Sequence, residues 1–508
     1  MMKRKGTVYL IGAGPGDAGL ITIRGLHCLH RSDAVIYDHL VPYQLLTELE
    51  PRVELIDAGK QSGKHTLSQD EINKLIVSFA NAGKTVARLK GGDPLIFGRG
   101  GEEAMFLKEN GIPYEIIPGI TAAIAAGAYA GIPLTHRGLI TQTLFVTAHE
   151  ASEKDEPQVD WELLARLKTA SIAGYMGVKT LPIVTSKLLD AGMNPETPAA
   201  VIRYAATPMQ TCITGKLKNI TDLSKQHGIT PPALFIIGES VTLRSSIEWF
   251  ENKPLSGRRI VVTRAAEQAG EFISKLSSLG AYVIGFPTIR IEFNFDNQKL
   301  EEILERSVDY QWLIFTSENG VKCFFRALMD AKADIRSFQN AKIAAVGSGT
   351  AKALQSHYMN ADFIPSKFLT ESLATELAQQ YNIKDKHVLR IKGIPSPTTV
   401  EDILTENSAS VDTLIVYETR QANPLPRVTD DLISNGADLI TFTSSSTARN
   451  FVKIVGKETA QKLAVSSKIL AIGPVTSKTL RDLGLPVHFE AETHTIEGMI
   501  EEINRIFV

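Results

Sequence analysis

Two glycine-rich segments carry the residue types best suited to small-molecule chemistry. Gly12-Ala13-Gly14-Pro15-Gly16-Asp17 follows the apolar run TVYLI. A G-x-G-x-x-G dinucleotide turn would need glycine where Asp17 stands. Pro15 has no N–H to offer a phosphate, and Asp17 sets negative charge where a pyrophosphate would lie. Asp38, at the end of AVIYD, could imitate the ribose-binding acid of such a fold. The second segment is Arg88-Leu89-Lys90-Gly91-Gly92-Asp93-Pro94. Paired glycines let a ligand approach the backbone, and an acid there can receive a cationic group. An amino-acid-like zwitterion suits this site better than a phosphate does. The continuation LIFGRGGEE adds Gly98, Gly100 and Gly101 and reads as a loop entering a helix. His27 and His30 stand three apart on a helical pattern with no further clustered ligand. They read as a surface stripe, and no metal site is expected.

The elements that must position these loops are α/β. Short Val/Ile-rich runs such as AVIYD, TVARLKGGD, IVVTR, WLIFTS and LITFTS alternate with helical patterns. Runs without polar alternation fit parallel strands covered on both faces, with ligands beyond their carboxyl ends. The best boundary is the polar ENKPLSGR stretch near residues 250–257; the charged loop at 151–160 could join two lobes of the first half. The second half repeats itself. Phe315-Thr316-Ser317 recurs 127 residues later as Phe442-Thr443-Ser444, and Ala345-Val346-Gly347 recurs 126 later as Ala471-Ile472-Gly473. Arg264 and Arg390 hold the 126-residue offset too. Two similar lobes facing each other across a cleft are expected.

Composition bounds the function. A chain of 508 residues suggests roughly three or four compact units. Apolar residues at 44% and charged residues at 22% exclude a disordered, collagen-like or coiled-coil chain. The net charge of −2 removes the overall basic bias of a nucleic-acid binder. Cys28, Cys212 and Cys323 are scattered, which fits a reducing cytoplasm. The most apolar helical stretch, 120–132, is too short to span a bilayer, and no membrane association is expected.

The first half closely resembles the S-adenosylmethionine-dependent uroporphyrinogen-III C-methyltransferases of the tetrapyrrole methylase family. GAGPGDAGLIT, AVIYDHLV, AGKQSGKHTLSQDEIN, VARLKGGDPLIFGRGGEE, IPGITAAIAA, AGIPLTHRG, GYMGVKTL and TPPALFIIGESV carry the resemblance over about residues 6–245. It implies a unit at 1–250 of two α/β lobes, with the methyl donor S-adenosylmethionine held in the cleft by loops. Matching motif by motif, it implies donor contacts from Pro15, Gly91, Gly92, Asp93, Ile96, Thr121, Ala122, Met176 and Ala206. Asp38 matches a proposed proton acceptor and Lys60 a proposed proton donor; Lys60 could equally anchor an anionic substrate. Ala148 and Ala206 stand where the family usually has glycine. The implied substrate carries eight carboxylates, for which Arg24, Arg88, Arg99, Arg137 and the Lys60/Lys64 pair are candidates. A homodimer through this half fits the family. The related siroheme synthases carry a dehydrogenase/chelatase unit ahead of the methyltransferase; none is read here, so no metal insertion is expected.

From Gly257 onward the chain resembles uroporphyrinogen-III synthase, through GRRIVVTRA, FPTIRI, WLIFTSENGV, AAVGSGTAKAL, VLRIKG, IVYETR and ITFTSSSTARNF. The resemblance implies two lobes, about 257–288 plus 421–508 and 292–417, joined by two strands. It implies closure of linear hydroxymethylbilane with inversion of one ring, without metal or nucleotide. Thr316, Ser317, Thr443, Ser444, Ser445 and Thr476 offer hydroxyls at loop tips for carboxylates, and Tyr417 matches a tyrosine proposed to assist loss of the hydroxyl. The expectation is a bifunctional enzyme. Its second half makes uroporphyrinogen III, and its first methylates that product at C2 and C7 to precorrin-2. Alternatives are a methyltransferase for another precorrin, a two-lobed ligand-binding protein and, weakest, a nicotinamide dehydrogenase.

Overall fold

The computed structural model describes residues 5–47, 49–50, 52–59, 67–148 and 159–508. Lys60, Lys64 and 151–158 lie outside the described residues. Strands β1 (Val8–Gly12), β2 (Ala34–Tyr37), β3 (Glu54–Asp57), β4 (Val86–Lys90) and β5 (Tyr114–Ile117) lie parallel in the order β3-β2-β4-β1-β5. The connection after β1 runs toward β2 and the one after β4 runs toward β5. The two therefore run in opposite directions across the β1/β4 pair, and right-handed crossovers put them on opposite faces of the sheet, so a crevice opens beyond these strand ends. Both glycine segments of the first half leave the sheet at that pair.

Strand β4 is buried along its whole length although it carries Arg88 and Lys90. Charges this deep need partners. Glu103, in the first turn of helix Gly100–Glu109, supplies one. Its Oε1 accepts from Arg88 Nε at 3.0 Å, Lys90 Nζ at 3.0 Å and Gln69 Nε2 at 3.1 Å.

A second sheet holds β6 (Gln142–Thr147), β7 (Ala170–Tyr175), β8 (Pro198–Arg203), β9 (Thr211–Lys216) and β10 (Ala233–Ile237), in the order β6-β7-β10-β8-β9. Helix Ala122–Ala130 lays Ala123, Ala126 and Ala130 on its Ala173, Ala200 and Ile202. Small side chains on both sides let the helix lie close to the sheet.

Strands β11 (Arg259–Val262) and β12 (Tyr282–Gly285) start a third sheet. The chain then builds a fourth from β13 (Ile289–Phe293), β14 (Tyr310–Phe315), β15 (Lys342–Ala345), β16 (His387–Ile394) and β17 (Ser410–Gln421), ordered β13-β17-β16-β14-β15. It returns as β18 (Leu439–Phe442), β19 (Lys468–Ala471) and β20 (Phe489–Glu490), completing β12-β11-β18-β19-β20. The antiparallel pair β13–β17 links the two parts. Phe315 and Phe442 end β14 and β18, and Ala345 and Ala471 end β15 and β19. The repeated motifs thus occupy equivalent neighbouring strands. Among the described residues, no helix is long and apolar enough to cross a membrane.

The two halves dock through Tyr43. Its ring sits in the core between β12 and the helices beneath it, and its hydroxyl donates to Val283 O at 2.5 Å. The Tyr282 and Phe286 amides bond to Arg258 O and Val262 O on the β11 side, so the Val283 carbonyl faces the open edge of the sheet. Tyr43 thereby covers an edge strand. Leu425 packs against the same core and against the core of the first sheet.

Removing one partner of a buried charge group is costly. Glu103→Ala is expected to lower unfolding free energy by about 3–5 kcal/mol, read from urea unfolding followed by far-UV circular dichroism. Tyr43→Phe keeps the packing and orphans one carbonyl, so a loss of about 1–3 kcal/mol is expected in the same measurement. A Tyr43→Phe chain as stable as the parent would remove the edge cap as a contributor.

Candidate functional site

A cavity of about 2350 Å³ opens where β1, β4 and the second sheet converge. Asp38, Pro15, Gly91, Gly92, Asp93, Ile96, Thr121, Ala122, Met176 and Ala206 all line it. They come from segments between Pro15 and Ala206, brought together by the crevice at the β1/β4 pair.

The glycine segments meet backbone to backbone. Gly14 N donates to Gly92 O at 3.2 Å and Gly92 N to Gly14 O at 2.8 Å. Gly92 has φ +71°, a conformation that favours glycine. A Cβ on Gly12 would fall 2.5 Å from Gly119 Cα, so that glycine serves a chain crossing. Gly91 differs. A Cβ there would meet only Leu40, its Cβ at 3.4 Å and its carbonyl carbon at 4.0 Å, so the missing side chain leaves room in the cavity. Asp17, the residue that broke the dinucleotide pattern, is a structural staple. It accepts from Gly19 N at 2.8 Å and from Tyr129 OH at 2.7 Å. Asp93 also staples loops, accepting from Leu95 N at 2.8 Å and Gly119 N at 3.0 Å. Each of its oxygens keeps a lone pair for a ligand.

Asp38 stands at the end of β2 with 35% of its side chain exposed. Arg88, 2% exposed, donates to its Oδ1 from behind. Burial opposes the Arg88 charge, but Asp38 and Glu103 together hold its pKa above the ordinary value. Burial and the neighbouring Arg88 lower the Lys90 pKa. Arg88 is therefore engaged inside the fold and is not offered to a ligand carboxylate, contrary to the sequence expectation. Arg24 pairs with Glu115 at the surface, and Arg99 pairs with Glu102 at 2.6 Å.

Tyr175 has no sequence signal of its own, yet it organises the opposite wall. Its hydroxyl meets Thr121 Oγ1 at 2.7 Å and accepts from Ala123 N at 3.0 Å, at the start of helix Ala122–Ala130. Burial pushes its pKa up. Phe97 packs on its ring at 4.9 Å between centroids. Phe97, Arg99, Met176, Tyr204 and Ala206 all line the cavity at positive φ. Backbone strain of this kind collects at functional sites. Ala206 is buried at φ +58°, held by a bond from its amide to Gln210 Oε1 at 2.9 Å. Lys60 falls outside the described residues.

Thr316, Ser317, Tyr417, Thr443, Ser444, Ser445 and Thr476 lie elsewhere and do not line this cavity. Ser317 caps helix Glu318–Asp330 through Gly320 N at 2.9 Å, and its Oγ lies 3.0 Å from Tyr417 OH. Burial raises the Tyr417 pKa, and the Ser317 bond opposes that rise. A Cβ on Gly393 would fall 2.2 Å from the Tyr417 ring, so this glycine makes room for the tyrosine. Ser444 caps helix Ser445–Val455 in the equivalent way, through Thr447 N at 3.2 Å. Thr316 and Thr443 are half-buried beside these caps, and Ser445 Oγ accepts from Thr479 Oγ1 at 2.8 Å. Thr476 is not at a loop tip. Pro474 starts helix Pro474–Asp482 ahead of it, and Thr476 is only 4% exposed.

A family model for tetrapyrrole (corrin/porphyrin) methylases matches residues 7–221, and one for uroporphyrinogen-III synthase HemD matches 270–501. The chain is 35% identical to the porphyrin biosynthesis protein HemD of Ruminiclostridium josui, over 99% of this chain and 98% of that one. It is 42% identical to a uroporphyrinogen-III C-methyltransferase of Bacillus subtilis, over 70% of this chain and 72% of that one. A solved uroporphyrin-III C-methyl transferase from Thermus thermophilus, complexed with S-adenyl homocysteine, is 36% identical. It covers 47% of this chain and 100% of its own, with a TM-score of 0.40. A mutant uroporphyrinogen III synthase from Thermus thermophilus is 18% identical, covering 49% and 98%, with a TM-score of 0.38. The chain belongs to the tetrapyrrole methylase family in its first half and to the uroporphyrinogen-III synthase family in its second.

Proposed function

We propose that the chain catalyses two consecutive steps of tetrapyrrole synthesis. The second half closes hydroxymethylbilane to uroporphyrinogen III. The first methylates that product twice, at C2 and C7, to precorrin-2. What carries the reading is one wall-to-wall arrangement: the glycine loops, the start of helix Ala122–Ala130 and Asp38 share one cavity. The residues fit S-adenosylmethionine. Gly91 leaves a space unfilled by protein, Pro15, Ile96, Met176 and Ala206 supply apolar surface, and Asp93 supplies an acid for the amino group. The donor brings an electrophilic methyl on sulfonium. The chain then has to present a pyrrole carbon to it and accept the proton released after attack. Asp38 suits the second task, because Arg88 fixes its orientation from behind while its carboxylate faces the cavity.

Ring closure in the second half asks for positioning. Ser317 and Ser444 sit at equivalent helix starts of the two lobes, where backbone amides attract anions. Gln268 of helix Ala266–Ser278 donates to Asn319 Oδ1 at 2.9 Å, so the lobes touch beside Ser317. Holding a folded polycarboxylate between them brings its reacting ends together. Tyr417, bonded to Ser317, would donate to the departing hydroxyl. The reading includes a reducing cytoplasm, on three free cysteines, and a homodimer through the methyltransferase half.

Supplying hydroxymethylbilane and S-adenosylmethionine should give precorrin-2, identified by mass and absorption; an unmethylated product would sink the first assignment. Asp38→Asn should slow methyl transfer by about 10²-fold or more while cyclisation persists. Equal loss of both rates in a folded variant would defeat the two-site reading. Tyr417→Phe should slow cyclisation and raise the share of the uninverted ring isomer, with methylation of supplied uroporphyrinogen III unchanged.

A further inference from the structure

The cavity beside Asp38 is not closed by the methyltransferase half alone. Arg264, Arg290, Arg427 and Asn423 line it as well, and all belong to the synthase half. Arg427 bonds across to the methyltransferase half. Its Nη2 donates to the carbonyl of His39, the residue after Asp38. Its Nη1 is buried and, among the described residues, has no hydrogen-bond partner.

Arg264 bonds Gln268 Oε1 at 3.3 Å, whereas Arg427 alone of these four residues keeps a buried polar atom unbonded beside Asp38. Arg259 is held by Asp431 at 2.8 Å, and Arg290 by Glu292 at 2.6 Å. Among the described residues, Arg427 meets no carboxylate. On the facing wall, Arg203 at the end of β8 leaves its Nε buried and unbonded in the same sense. A buried guanidinium N–H without an acceptor is costly unless a ligand satisfies it. A polycarboxylate supplies that acceptor, and guanidinium pairs with carboxylate through two parallel bonds. The position is fixed by packing. Arg427 follows Leu425 and Pro426 at the start of helix Pro426–Asn435, and Leu425 is wedged between the cores of both halves.

We propose that the synthase half completes the methyltransferase's tetrapyrrole site, with Arg427 binding a substrate carboxylate beside Asp38. The proposal rests on the function argued above and deepens it. Arg427 is a binding residue for the macrocycle and has no part in holding the methyl donor or in cyclisation. The product of one half is thus recognised, on its way to methylation, by a side chain of the half that made it.

The test uses the full chain and three measurements. These are KM for supplied uroporphyrinogen III, KM for S-adenosylmethionine and the rate of bilane cyclisation. Arg427→Ala should raise the tetrapyrrole KM by about tenfold or more, the loss of a charged hydrogen bond. The donor KM and the cyclisation rate should stay within twofold of the parent (about the scatter of such assays). Arg427→Lys keeps a point charge without the planar fork and should recover part of the loss. Added salt should raise the tetrapyrrole KM of the parent more than that of Arg427→Ala. An unchanged tetrapyrrole KM in Arg427→Ala overturns the proposal. So does a joint rise of both KM values with no recovery in Arg427→Lys, which marks a merely structural residue. A parent chain that does not methylate uroporphyrinogen III overturns the functional reading, and this proposal with it. Parent methylation with indifferent variants overturns this proposal alone.

Discussion

The first half is organised around two positive charges placed inside a buried strand. Arg88 and Lys90 lie on β4, the strand that neighbours β1 at the crevice. In that position neither can reach bulk water, so the fold must bring carboxylates to them. Glu103 comes from the helix after the glycine loop, and Asp38 comes from the end of β2. Meeting this requirement does three things at once. It ties helix Gly100–Glu109 to the sheet, draws β2 against β4, and aims Asp38 into the cavity. The same interaction that stabilises the lobe therefore sets the orientation of a carboxylate that lines the cavity. Glu103 sits in the first turn of its helix, where the helix dipole favours a negative charge.

The second half solves a similar problem on β16. Arg390 and Lys392 point inward there, and Glu401 receives both, Lys392 Nζ at 2.5 Å. Here the acid comes from helix Thr399–Glu406, and the Pro397 carbonyl and Ser396 hydroxyl complete the Arg390 shell. Both strands read Arg-x-Lys-Gly, and in both the glycine follows the buried lysine. The glycines then diverge. Gly91 leaves space in a cavity, whereas Gly393 is covered by the Tyr417 ring. One local solution to buried charge thus serves ligand access in one half and the placement of a tyrosine in the other.

The α/β class and most strands were legible because they depend on local pattern: Val/Ile-rich runs ending in glycine or serine. The 126-residue repeat was legible for the same reason, and the sheets explain its form. Strands β17-β16-β14-β15 and β12-β11-β18-β19 share one spatial order, although the chain visits them in different sequence. The site was legible where backbone geometry demanded a residue type, as at Gly92 with its positive φ. It was not legible where partners meet only through the fold. Glu103 looks like any acid in a helix first turn until the sheet shows which face it occupies. Tyr175 looks like a strand-end aromatic until its hydroxyl meets Ala123 N. Arg88 reads as a free cation because its burial cannot be seen from its neighbours. Thr476 reads as a loop hydroxyl because Gly-Pro suggests a turn, while Pro474 in fact opens a helix.

The docking of the halves is the furthest from local pattern, since Tyr43 and Val283 are 240 residues apart. It also changes what the two family resemblances mean when they occur in one chain. Each half on its own would leave something exposed: the β12 edge of the synthase, and one side of the methyltransferase cavity. Tyr43 covers the first and the segment around Arg427 covers the second, and Leu425 packs against the cores on both sides of the joint. The loop that carries Asp38 at its start and Tyr43 near its end is therefore shared property. Its beginning is held by Arg88 within the first half, and its end is held by β12 of the second. A displacement of β12 would be felt at the far end of the loop whose first residue lines the cavity, so the joint between the halves is coupled to that cavity and is more than a tether.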